Sequence, residues 1–119
     1  MSYDISFRVP VAGTDKFVET KGSDANITWN VSEIIRKSTG LPWINEDNNG
    51  LCVDVIPKIQ AGLSELLVNG KEYFQYEPSN GWGSVSGVIR FFTQIIADWN
   101  DYIRWEDPEV VAVTTFWVI

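Results

Sequence analysis

Tyr3, Ile5, Phe7 and Val9 alternate with Asp4, Ser6 and Arg8. A period of two predicts an opening strand with one buried face. Pro10 and the cluster Ala12-Gly13-Thr14-Asp15 predict a turn, and Lys16 to Thr20 a short returning strand. Lys21-Gly22-Ser23-Asp24 reads as a second loop, and Asn26 to Asn30 as extended chain. Val31 to Thr39 reads as a short helix, capped by Asn30 or Ser32 and closed by Gly40 in a left-handed conformation. Leu41 to Gly50 is polar, rich in Asn, and reads as a loop.

The next helix is plainer. Val53, Ile56, Ile59, Leu63 and Leu66 step by three and four along one face. Pro57 fits only a first turn, so this helix should begin near Asp54 or Val55 and end at Asn69-Gly70. Lys71 to Tyr76 adds one helical turn before Pro78. The run Pro78-Ser79-Asn80-Gly81-Trp82-Gly83 is a strong turn signal. Ser84 or Ser86 should then cap a long helix with the stripe Val85, Val88, Phe92, Ile95, Trp99 and Tyr102. Val110 to Ile119, β-branched and aromatic, reads as a covered strand that pairs with the first. The expected fold is a single α+β domain over residues 1–119: a small antiparallel sheet of N- and C-terminal strands with two main helices packed on it.

The chain of 119 residues is long enough to bury a core without staples. No stretch approaches the roughly 18 apolar residues of a membrane span. Met1 to Asp4 does not open a signal peptide, and the single Cys52 cannot form an internal disulfide. These features predict a cytoplasmic protein with no membrane partner. Net charge is 9 − 16 = −7, which opposes direct nucleic-acid binding because phosphates need clustered Lys and Arg.

Histidine is absent. That removes Ser-His-Asp and Cys-His catalysis, and the usual zinc ligands. No phosphate-binding loop or nucleophile elbow occurs. Asn45-x-Asp47-x-Asn49-Gly50 opens like a calcium loop, but the bidentate-Glu position falls on Ile56. A plain Asn/Gly turn fits it better. The carboxylate groups Glu46/Asp47, Asp98/Asp101 and Glu106/Asp107/Glu109 read as solvated surface charge, and Cys52 as a small buried side chain. The expectation is a protein that is not an enzyme, with no metal and no cofactor.

Two polar-aromatic segments remain. In an extended Asn26-Ile27-Thr28-Trp29-Asn30, the side chains of Asn26, Thr28 and Asn30 share one face and offer amides and a hydroxyl to a polar ligand. Alternatively, Asn30 and Asn26 serve as caps. In Asn80-Gly81-Trp82-Gly83-Ser84, the glycines bare the backbone, the following helix start offers N–H groups to an anion, and Trp82 offers a flat face. Alternatively, Trp82 plugs the core. Arg36, Lys37 or Arg90 could neutralise a phosphate.

The order Asn26-x-Thr28-x-Asn30-Val31-Ser32, then an apolar helix, then Glu77-Pro78-x-Asn80-Gly81-Trp82-Gly83, then a second apolar helix, resembles small uncharacterised proteins of bacteriophages and prophages. The resemblance covers roughly Asp24 to Trp105. In that family Pro-Met often follows Asn-Val-Ser, where this chain has Glu33-Ile34. The resemblance implies an accessory role in the host-cell cytoplasm, directed against host defence. The corresponding expectation is a binder that sequesters a small nucleotide-like signal molecule. Its rivals are an acidic inhibitor that mimics nucleic acid and engages a host defence protein or nuclease, and a virion or assembly component built on homo-oligomer contacts.

Overall fold

The computed structural model describes residues 1–119. The fold is α+β, a four-stranded antiparallel sheet with strands from both ends of the chain and helices packed on it. Strands β1 (Ser2–Pro10), β2 (Phe17–Thr28), β3 (Asp47–Leu51) and β4 (Thr115–Val118) lie in the order β2-β1-β4-β3. β1 pairs with β2 from Ser2↔Thr28 to Pro10↔Phe17, and with β4 through Ile5↔Val118 and Phe7↔Phe116. The alternation at the start of the chain thus becomes a central strand, with Tyr3, Ile5 and Phe7 buried.

Helices α1 (Ser32–Thr39), α2 (Cys52–Asn69), α3 (Val85–Trp105) and α4 (Pro108–Val113) complete the chain. α3 packs on β2, α2 on α3, and α1 on α2. The predicted α3 stripe is buried at all six positions, with Phe91 beside it. Rings meet edge to face, Phe7 of β1 5.4 Å from Trp99 of α3, and Trp43 of the loop after α1 5.8 Å from Phe91 of α3. Cys52 is fully buried, and burial pushes its thiol pKa up. No helix is long and apolar enough to cross a membrane.

Several expected boundaries move, each for a local reason. The short strand, loop and extended segment expected over residues 16–28 are one strand, β2. Opposite Ile5 the pairing passes from Asp4↔Asn26 to Ser6↔Gly22, so Ser23, Asp24 and Ala25 face a single residue. Asp98 of α3 holds this bulge, accepting from Ser23 Oγ at 2.5 Å and Asp24 N at 3.0 Å. A polar stretch that reads as loop is held in the sheet by a distant carboxylate.

The expected strand over residues 110–119 is half helix. Pro108 opens α4, and Val110 and Val111 both donate backbone N–H groups to Asp107 O at 3.0 Å. Thr114 Oγ1 donates to Val110 O at 2.8 Å. These local bonds outweigh the extended preference of three valines, and only Thr115–Val118 pairs as strand.

α2 starts at Cys52, earlier than expected, with Pro57 as its sixth residue. Pro57 has no N–H for the carbonyl of Val53. The polar loop before it contains β3, Leu41 and Trp43 are buried, and Asn49 clasps Ile44 by donating to its O and accepting from its N, both at 2.8 Å. Gly40 takes the expected left-handed conformation. Neither Asn30 nor Ser32 caps α1, because the chain enters through a 3₁₀ turn over Trp29–Val31.

Candidate functional site

β2 ends at Thr28, and the 3₁₀ turn that follows rotates Trp29 out of strand alternation. Trp29 therefore does not sink into the core beside Ile27. Its Nε1 donates to Ser2 O at 2.9 Å, and its ring lies 6.1 Å from that of Tyr3. It is about one-third exposed (36%). The turn also leaves Asn30 exposed, with no side-chain hydrogen bond inside the chain.

The loop before α3 is built on its two glycines. Gly81 has φ of +76° with open space around it, as a tight turn needs. Gly83 has φ of +128°, and a Cβ there would collide with Val31 Cγ1 and lie 3.2 Å from Thr28 Cγ2. The absence of a side chain at Gly83 lets the loop settle against the end of β2. Asn80 Oδ1 accepts from Trp82 N at 2.9 Å, which fixes the turn. Trp82 then projects into solvent, 68% exposed. It is a surface platform and not a core plug.

The two segments meet. Met1, Thr28, Trp29, Asn30, Asn80 and Trp82 line one open hollow of about 370 Å³. That volume lies in the range of small-molecule sites, about 300–1,000 Å³. Trp29 and Met1 were not among the residues singled out from sequence. In an extended segment Trp29 would point away from Asn26, Thr28 and Asn30, and the 3₁₀ turn over Trp29–Val31 brings it beside Thr28 and Asn30.

The remaining candidates lie elsewhere. Asn26 is tied to β1, donating to Asp4 Oδ1 at 2.7 Å, and it lines a separate depression of about 280 Å³ together with Arg90. Arg36 is a structural clamp: its Nε donates to Pro42 O at 2.9 Å and its Nη2 to Trp43 O at 3.2 Å. Those bonds hold Trp43, a buried residue with φ of +50°. Lys37 lies over the Tyr76 ring at 5.0 Å. Gly81 and Gly83 shape the loop without lining the hollow.

The start of α3 does not offer the anion site expected there. Ser84 Oγ accepts from Gly87 N at 3.0 Å, and Glu77 Oε2 accepts from Val85 N at 2.8 Å. A carboxylate already occupies the positive end of the helix dipole. The lining residues carry polar groups with no partner inside the chain: the Thr28 hydroxyl, the Asn30 carboxamide, the Asn80 amide N–H₂ and the Trp82 indole N–H. The arrangement supplies stacking faces and neutral hydrogen bonds. It contains no charged side chain.

No protein-family model, curated protein or solved structure matches the chain.

Proposed function

We propose that this protein is a non-enzymatic binder that captures a small nucleotide-like molecule in the hollow between Trp29 and Trp82. One observation carries the reading. A solvent-facing indole, set on a glycine-shaped loop, stands beside unengaged amide and hydroxyl groups of a sequence-distant segment. An exposed tryptophan next to convergent neutral donors suits a flat polar ring. Sequestration of a defence signal in the host cytoplasm is part of the same proposal. It rests on the motif order from Asn26 to Gly83 that resembles phage proteins.

Thermal unfolding in the presence of a nucleotide panel tests the proposal. The panel contains mononucleotides, cyclic dinucleotides and ADP-ribose. A ligand at about a hundredfold excess over its Kd stabilises the folded chain by about 2.7 kcal/mol. The parent should shift and Trp82→Ala should not. A parent that no member shifts, or a variant that shifts equally, refutes the reading.

The acidic face favours a second reading. Asp101, Asp107 and Glu109 are exposed around the end of α3 and the start of α4, in a chain of net charge −7. On this reading the protein blocks the basic groove of a host nuclease. The complex should be stoichiometric, and should weaken with salt and with D101N/D107N/E109Q. A complex indifferent to both changes excludes nucleic-acid mimicry.

A further inference from the structure

We infer that the hollow holds its ligand by a neutral, acceptor-rich aromatic ring, the base of a nucleoside, and leaves any phosphate in solvent. The inference rests on the hollow being the binding site proposed above, and specifies which part of the ligand is recognised. Three sources of affinity for an anion can be checked. The first is local positive charge. None of the nine Lys and Arg side chains lines the hollow. Several are engaged elsewhere: Arg8 over Trp117 at 4.7 Å, Lys21 with Asp101 at 3.1 Å, and Arg36 on two backbone carbonyls.

The second source is a helix start. At α3 it is taken by Glu77 and Ser84, and a phosphate approaching it would meet a carboxylate. The third is the field of the whole molecule, which is negative. That field is largely screened beyond about 8 Å at physiological salt, so local charge decides the matter, and the one cation on a lining residue is the exposed α-ammonium of Met1, with no second cation to clamp a phosphate.

What the hollow does offer is weighted toward donors. Asn30 and Asn80 each carry an amide N–H₂, and Trp82 an indole N–H. Asn80 Oδ1 is already engaged by Trp82 N, so Asn80 presents its donors. The acceptors are fewer: the Thr28 hydroxyl, the Asn30 oxygen and the second lone pair of Asn80 Oδ1. Carbonyl and ring-nitrogen acceptors on a flat ring complement that set, and the ring face complements indole. A saturated sugar has the hydroxyls but no π face to lay on Trp82.

Calorimetric titration of the whole protein with four nucleosides, their monophosphates and a methyl glycoside tests this. At least one nucleoside should bind, and its monophosphate should bind within about threefold of it, because a solvated phosphate gains no contact with the protein. Affinity should stay nearly constant from about 0.05 to 0.5 M salt. Trp82→Ala should weaken binding by about 5- to 150-fold, the range of one lost base stack. Asn30→Asp keeps the shape but removes an N–H₂ donor, and should also weaken it. Asn30 has no hydrogen bond inside the chain, so that variant should fold as the parent does. A monophosphate more than about tenfold tighter than its nucleoside, with a steep salt dependence, overturns this inference and leaves the hollow as the binding site. Binding of the glycoside alone overturns the nucleobase class. No binding by any probe overturns the proposed function with it.

Discussion

Alanine at Gly83 and at Gly81 separates close packing from backbone conformation within one loop. Both glycines have positive φ, +128° and +76°. At Gly81 nothing lies within 4 Å of an added Cβ. The conformational cost stands alone there, about 1 kcal/mol, because +76° lies near the left-handed well. At Gly83 the conformation is further from any well that a side chain tolerates, which costs about 1–3 kcal/mol. The Cβ also strikes Val31 Cγ1, and Val31 is fully buried and cannot retreat. Forcing an extra carbon into a packed site adds about 1–3 kcal/mol. The loop can escape by lifting off Val31, so the net loss should settle near 3 kcal/mol, between the two terms and their sum. Thermal and urea unfolding, followed by circular dichroism, give the comparison. In a chain of this size each kcal/mol lowers Tm by about 4 °C. Gly83→Ala should therefore lose about 12 °C and Gly81→Ala about 4 °C. Gly83→Ala should also abolish ligand binding, since Trp82 moves with the loop. Equal losses at the two positions, or a Gly83→Ala variant as stable as the parent, would refute the packing argument.

Three further perturbations have defined outcomes. Ser84→Ala removes the α3 cap and should cost about 1 kcal/mol in urea unfolding, with Glu77 retaining the Val85 N–H. Arg36→Met leaves the exposed Pro42 carbonyl and the part-buried Trp43 carbonyl without their donor, and should cost about 1 kcal/mol with a changed near-ultraviolet signal from Trp43. Arg36→Lys should recover only part of the loss, because an ammonium lacks the planar fork; full recovery contradicts the clamp. Cys52 gives a pH dependence. Its thiol titrates above the usual range when folded, and near pH 8.5 (roughly) when unfolded. The unfolded chain therefore releases a proton that the folded chain keeps. This contribution to stability is complete below the unfolded value and declines as pH rises above it, by up to about 1.4 kcal/mol per pH unit. Stability measured from about pH 7 to 10 should fall more steeply in the parent than in Cys52→Ala; parallel curves contradict it.

The α3 stripe and the opening alternation were legible because burial imposes a period on the sequence; in α2 burial follows the expected stripe at Ile56, Ile59 and Leu66, while Val53 is exposed and Val55 is buried instead. The features without a sequence pattern depend on partners remote in sequence. Asp98 recruits Ser23 and Asp24 into β2 from 75 and 74 residues away. The Val110–Val113 run shows the converse, where a Pro108 start and an Asp107 acceptor decide the outcome within one turn. The site was legible in part. Thr28, Asn30, Asn80 and Trp82, drawn from the two segments, line one hollow. Arg36 is absent from it because a cation near a motif in sequence is drawn to whichever carbonyls the fold strands nearby. Ser84 and the helix start are absent because Glu77, seven residues upstream, fills the same role that an anion would.

The sheet order leaves β2 and β3 outermost, and both make poor templates for an incoming chain. β3 pairs only at Asp47, Asn48 and Leu51, with a break at Gly50, where φ is +118°. β2 is interrupted where three residues face one, and the outward amide of Asp24 is already taken by Asp98. A stranger's strand therefore meets no long, straight row of free amides on either side. Fibrous cross-β growth needs such a row, and both rims of this sheet interrupt it.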